Sequence, residues 1–388
     1  MKIISLYLPQ FHTIPENDIW WGKGFTEWVN VKKADSLFDG HCQPRVPLNE
    51  NYYDLSDVEV MRGQCRIAKD HGLYGFCFYH YWFGGKLLLE KPVENFLNSD
   101  INFHYCISWA NEHWTNQWVS EHWDVLIEQR YGDEKEWKEH FDYLFKFFND
   151  DRYIKINGKP VIVFYKPELI NKRREMLCIW NKLAQEKGFP GLCFVFQRAE
   201  SILNDNKIDM SMFDYCAIYQ PGLAVAQYNR ERQHFLKLRK MKRSFFKFFE
   251  EHFKFDSRSV VLTPQGVGPK RYSYDQIWDK VLNSDDIFPR MIAGGFTDWD
   301  STPRRGKRGF VMTGASPEKF KIYLRKLIEK SKNKYETDII FLFAWNEWAE
   351  GGYLEPDTLN GYGYLDALKE ALDETGENPY EKNNVLKV

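Results

Sequence analysis

Short apolar runs of strand length recur eight times along this chain, and stretches with helical periodicity separate most of them. The runs are Lys2–Leu8, Gly75–Tyr79, Asn102–Ser108, Pro160–Tyr165, Leu192–Phe196, Cys216–Tyr219, Met291–Ala293 and Asp338–Phe343. Helical patterns fall at Ser56–Asp70, Leu87–Leu97, Glu134–Phe148, Leu177–Glu186, Tyr274–Leu282, Glu318–Lys330 and Tyr364–Leu372. Ser56 or Asp57 caps the first of these, and Ser316 with Pro317 opens the sixth. Eight strands alternating with helices predict an α/β fold, a (β/α)8 TIM barrel with long loops at the C-terminal face of its strands. A doubly wound open sheet is the alternative, with Val260–Leu262 available as an extra strand. Against a dinucleotide fold stands the lack of a glycine-rich phosphate loop after the first run. The 388 residues suit one large barrel, expected over 1–372, with a polar tail at 373–388 that should fray. Residues 230–254 do not fit a barrel pattern. They carry nine Lys or Arg against three Glu, and Phe235, Leu238, Phe245, Phe249 and Phe253 fall near helical spacing. This segment reads either as a helix over a barrel edge or as a basic amphipathic insertion that touches an anionic membrane or a partner.

Chemistry-bearing residues gather where the apolar runs stop. Tyr7, Gln10 and His12 end the first run, and Glu27 and Trp28 lie in the loop after it. Tyr79, His80 and Tyr81 end the second, and Trp109, Asn111 and Glu112 end the third. Asp298, Trp299, Asp300 and Arg304 follow the seventh; Trp345, Asn346, Glu347, Trp348 and Glu350 follow the eighth. Barrel enzymes present reactive groups on one rim in this way. Glu347 and Glu350 head the set as catalytic acids. Three residues apart, they cannot share a face of an extended strand, but they converge if the chain coils after Glu347. Acid catalysis at a glycosidic bond needs one carboxyl protonated and one ionised, and desolvation beside Trp345 and Trp348 would separate the two. Glu112 is the rival partner for Glu347; its alternative role is to bind a sugar hydroxyl or to hold Arg304. The remaining residues named at these strand ends are candidates for substrate binding. His12, His80 and His113 show no metal-ligand spacing, so neither a metal nor a cofactor is expected.

Composition narrows the ligand. Aromatic residues make up 17% of the chain, with 14 Trp and 22 Tyr, and their clustering beside acids and amides suits sugar rings, which stack by their C–H faces. A net charge of −2 gives no reason to expect nucleic acid. Seven cysteines form no C-x-x-C pair, and four of them (Cys77, Cys106, Cys193 and Cys216) sit in or beside apolar runs as small hydrophobes. With an N-terminal apolar stretch too short for a signal peptide, the expectation is a cytoplasmic protein, membrane-peripheral if 230–254 binds lipid.

Five spaced motifs resemble the WbsX-type proteins of bacterial surface-polysaccharide clusters, which are related to glycoside hydrolase family 99. They are Tyr7-Leu8-Pro9-Gln10-Phe11-His12, Gly24-Phe25-Thr26-Glu27-Trp28, Trp109-Ala110-Asn111-Glu112, Trp299-Asp300-Ser301-Thr302-Pro303-Arg304 and Trp345-Asn346-Glu347-Trp348-Ala349-Glu350. The resemblance implies a (β/α)8 barrel acting on oligosaccharide or polysaccharide. In the hydrolase relatives, retaining cleavage of α-mannosidic bonds uses two acids in a Glu-Trp-x-Glu motif, matched here by Glu347 and Glu350. The first deprotonates the sugar's 2-hydroxyl to give an epoxide-like intermediate; the second acts as acid and then base. The loops at 12–50 and 222–258 follow the WbsX-like pattern more than the hydrolase pattern, so mannose specificity does not transfer. Three readings stay open at this point: a retaining glycosidase or transglycosylase, a glycosyltransferase with a nucleotide-sugar or lipid-linked donor, and a non-catalytic carbohydrate-binding scaffold.

Overall fold

The computed structural model describes residues 1–116, 124–198, 211–232, 268–284 and 288–381. Its centre is a closed barrel of eight parallel strands: β1 (Lys2–Tyr7), β2 (Gly75–Phe83), β3 (His104–Trp109), β4 (Lys159–Phe164), β5 (Cys193–Arg198), β6 (Tyr215–Ile218), β7 (Met291–Phe296) and β8 (Ile339–Phe343). Each strand pairs with the next, and β1 closes the circle, with Lys2 opposite Ile339 and Ile4 opposite Gly75. An open doubly wound sheet is thereby excluded. The strands are buried along nearly their whole length because side chains fill the inside and helices cover the outside. Cys77, Cys106, Cys193 and Cys216 lie buried on β2, β3, β5 and β6.

The helices form for reasons visible in their residues. Val58–Asp70 (α3, after two short helices, α1 at Pro15–Trp21 and α2 at Glu27–Lys32) is capped by Asp57, which accepts from Glu59 N at 3.0 Å. Glu134–Phe148 starts on Asp133 and buries Trp137, Phe141, Leu144 and Phe148 at spacings of three and four. Pro317–Asn333 starts on Ser316, whose hydroxyl accepts from Lys319 N at 3.3 Å. Pro317 sits in the first turn, where its missing N–H costs nothing.

One helix expectation is corrected. Leu87–Leu97 is not continuous: Lys86–Leu88 is a strand antiparallel to Tyr81–Phe83, and the helix begins at Lys91. Pro92 is the cause, since a proline is tolerated only in a first turn. The possible extra strand at 260–262 and almost all of the basic segment 230–254 lie outside the described residues. The described part of the polar tail contacts the rest of the chain. The last helix runs from Gly363 to Glu374; Lys332 pairs with Glu377 at 2.6 Å, and the Tyr380 hydroxyl donates to Leu73 O at 3.1 Å. Among the described residues, no helix is long and apolar enough to cross a membrane.

Candidate active site

At the C-terminal rim, β8 delivers its acids by an abrupt change of backbone. Asn346–Glu347 pairs briefly with Gly352–Tyr353, and Trp348–Glu350 coils into a single 3-10 turn. That turn makes the convergence of Glu347 and Glu350 possible, because on a strand the two would face opposite ways. Gly351 then turns the chain with φ +64°, and a Cβ there would lie 2.8 Å from Asp300 N, so any side chain would be strained both in its backbone and against Asp300.

Both acids meet one cation. Arg304 donates from Nη1 to Glu350 at 2.7 Å, from Nη2 to Glu347 at 3.2 Å and from Nε to Glu27 at 3.1 Å. All four side chains are nearly buried. Burial alone would lower the Arg304 pKa, but the three carboxylates reverse this and hold it well above its ordinary value. One guanidinium cannot neutralise three anions in a dry site. Burial therefore pushes Glu347 up to about 8, with Glu350 and Glu27 adding to the rise and Arg304 opposing it.

These groups border a cavity of about 290 Å³. Of the residues expected at the site, Gln10, Glu27, Tyr79, Tyr81, Glu112, Arg304, Glu347 and Glu350 line it. Glu112 pairs closely with Lys166 rather than with Arg304, and the role of holding that arginine falls to Glu27. Tyr165 and Tyr219, at the ends of β4 and β6, also line the cavity, as do Trp21, Phe25, His113 and Trp114. Tyr165 and Tyr219 were within reach of sequence reasoning, since each is the last residue of an apolar run. Burial raises the phenols of Tyr79, Tyr165 and Tyr219 well above their ordinary value, so they remain hydroxyl donors facing the acids.

The other expected substrate-binding residues stand behind the wall, each with a partner of its own. Tyr7 donates to Gln64 Oε1 at 2.6 Å, and His12 Nδ1 lies 2.9 Å from Pro9 O. Trp28 packs on Phe11, Tyr53 and Trp348 and donates to Tyr53 O at 2.8 Å. His80 meets His140 at 2.9 Å in a buried, stacked group with Trp82 and Tyr143. Trp109 packs on His140 and Trp180. Asn111 bonds both the N–H and the carbonyl of Lys166, and Asn346 does the same for Leu8, so these amides tie strand ends together. Trp299 stacks on Phe343 at 4.4 Å, and Trp345 and Trp348 are core residues. None of these tryptophans lines the cavity; Trp21, at the end of α1, and Trp114, in the connection after β3, do.

The loop after β7 is held by residues that sequence reading missed. Arg45 pairs with Asp298 at 2.7 Å and donates to Gly351 O at 3.1 Å. Asp300 accepts from His41 at 2.8 Å, Gln43 at 2.7 Å and the Thr302 hydroxyl at 2.6 Å. Leu37 N donates to His41 Nδ1 at 3.1 Å, which leaves the proton on Nε2, facing Asp300. Asp300 N in turn donates to Glu350 O at 2.7 Å. Asp298 and Asp300 thus brace the β7 loop and the turn that carries Glu350, and neither lines the cavity. No strand signal marked the 41–45 loop, and only folding brings it there.

Comparison with known proteins places these features in a family. The family described as "Glycosyltransferase WbsX" matches residues 3–368, and the chain belongs to it. Two proteins called WxcX, from two strains of Xanthomonas campestris pv. campestris, are 31% identical over 376 and 373 residues. Those matches cover 95% of this chain and 49% of each relative, so the chain spans about half the length of the curated relatives it matches. Among solved structures, a GH99 endo-alpha-mannosidase from Bacteroides thetaiotaomicron has a TM-score of 0.53 at 15% identity, covering 97% of this chain and 98% of that one. A glycoside hydrolase-like protein has a TM-score of 0.55 at 11% identity, with 95% and 93% covered. At such identities the likeness speaks for the barrel fold.

Proposed function

We propose that this WbsX-family chain makes or breaks a glycosidic bond in surface-polysaccharide metabolism, with Glu347 and Glu350 as its catalytic pair. The observation that carries this reading is the convergence of both acids on Arg304 at an aromatic-walled cavity. A cavity of about 290 Å³ is near the lower end of the range for ligand pockets and suits a sugar of one or two rings at the reacting centre. Phenols from Tyr79, Tyr165 and Tyr219 supply donors for hydroxyl groups, and Trp21 and Trp114 supply rings for C–H faces.

Within the pair we assign the roles that the family resemblance implies. Glu347, raised to about 8, is poised near neutral pH, where a base strong enough to take a proton from a sugar hydroxyl still has an ionised fraction. Glu350 protonates the leaving oxygen and then takes a proton from the incoming hydroxyl. The incoming group decides between hydrolysis and transfer. Transfer to a sugar acceptor is the second reading, favoured by the glycosyltransferase description of the family.

The test is to incubate the protein with bacterial glycans, with and without nucleotide sugars, and to follow product by mass spectrometry beside Glu347→Gln and Glu350→Gln. Turnover by the wild type that both variants lose supports the reading. An inert wild type that still binds glycan would favour a binding scaffold, and undiminished turnover in Glu347→Gln would sink the assignment.

A further inference from the structure

Glu355 lies behind the turn that carries both acids, and it does not border their cavity. Its carboxylate is buried and gathers three donors: Trp348 Nε1 at 2.6 Å and the Tyr53 hydroxyl at 2.7 Å on Oε2, and Gln64 Nε2 at 2.7 Å on Oε1. Gln64 passes the connection on by accepting from the Tyr7 hydroxyl at 2.6 Å. Tyr53 also receives Asn346 Nδ2 at 3.4 Å. The partners come from α3, from the loop before it, from β1 and from the β8 turn itself.

Trp348 stands between Glu347 and Glu350 in the chain. Its ring is stacked on Tyr353 at 3.8 Å and packed on Trp28 at 5.6 Å. The bond from its indole N–H to Glu355 is therefore the polar fixture of the turn on the side away from the cavity, as Asp300 N on Glu350 O is on the side of the β7 loop. Three donors spread over both oxygens suit a carboxylate, which accepts on each of them. Burial raises Glu355 to about 7 against the pull of Trp348, Tyr53, Gln64 and Trp345, so the fold retains a carboxyl here at a cost. An amide would avoid that cost, but while the Tyr7 hydroxyl holds Gln64 by its Oε1 it would turn an NH2 against Gln64 Nε2.

We propose that Glu355 is a positioning residue: by anchoring Trp348 it sets where Glu347 and Glu350 sit beside Arg304. This rests on the reading that those two acids carry the chemistry.

The test is a polarity swap at constant volume. Glu355→Gln turns an amide NH2 toward one of the three donors. In the double variant Gln64→Glu with Glu355→Gln, every partner is restored. The amide oxygen then at position 355 accepts from Trp348 and Tyr53, and the amide NH2 donates to the carboxylate then at position 64. That carboxylate still accepts from Tyr7. The single variant should lose at least about tenfold in kcat with KM little changed, because sub-ångström misplacement of reacting groups acts on the chemical step. The double variant should regain most of that loss. Crystal structures should show Glu347 and Glu350 moved from Arg304 in the single variant and returned in the double. If Glu355→Gln fails to fold, Tyr53→Phe removes one donor and should give a smaller loss in the same direction. Undisplaced acids in Glu355→Gln would overturn the proposal, as would a loss of kcat that the swap does not restore. A wild type inert on every glycan would sink the proposed function, while the crystal structures would still decide the role of Glu355.

Discussion

Replacing Glu347 with glutamine should make the protein more stable, and increasingly so as pH rises. In the folded chain Glu347 is raised to about 8 from an ordinary value of 4.5. Between those values the folded state binds a proton that the unfolded state has released, so wild-type stability falls as pH rises through the window. At about 1.4 kcal/mol per pH unit, the full effect is at most about 5 kcal/mol and is complete above about pH 8. A glutamine keeps the size and an acceptor for Arg304 but has no proton to lose. The advantage of Glu347→Gln over the wild type should therefore be smallest near pH 4.5 and should grow by several kcal/mol by pH 8. Denaturant unfolding of both proteins at pH 5, 6, 7 and 8 measures it. A stability difference independent of pH would refute the reasoning, because it would mean that the buried acid is not pushed upward by its surroundings.

Other consequences follow from the same contacts. Arg304→Met leaves three nearly buried carboxyl groups without their shared cation and should cost about 3–5 kcal/mol at neutral pH, read by thermal unfolding. A loss below about 1 kcal/mol would mean the clamp is not formed in solution. Gly351→Ala combines φ +64° with a Cβ 2.8 Å from Asp300 N, whereas Gly361→Ala has a similar φ and open space, so the former should be destabilised more. Equal losses would remove the close approach as a cause. If the Glu347 proton takes part in turnover, the pH profile should carry a limb near 8; a profile flat from about pH 7 to pH 9 would mean that it takes no part. Glu112→Gln should keep far more turnover than Glu350→Gln, since Glu112 is bound to Lys166 and not to Arg304.

The barrel was legible in the chain because each strand is a local apolar run bounded by turns, and periodicity needs no knowledge of distant residues. Strand ends were legible for the same reason, which is why Glu347, Glu350, Arg304 and Glu27 could be named from sequence. Sequence reading could not say which side of the wall each strand-end residue would face. Trp299, Trp345 and Trp348 look like sugar platforms in a linear motif, yet each packs into the interior, while Trp21 at the end of α1 and Trp114 in the connection after β3 line the cavity. A tryptophan has the same composition in either place, and only the three-dimensional packing of its neighbours decides.

Local pattern by itself thus determined eight strands, their order and the rim on which reactive groups gather. Tertiary structure decided the electrostatics: Arg304 meets Glu27, Glu347 and Glu350 across separations of 277, 43 and 46 residues. Charge balance in a dry site depends on every group within a few ångströms, whatever its distance along the chain. For that reason the acid pair could be read from a motif of six residues, while its proton, its clamp and its anchor at Glu355 emerge only in the folded molecule.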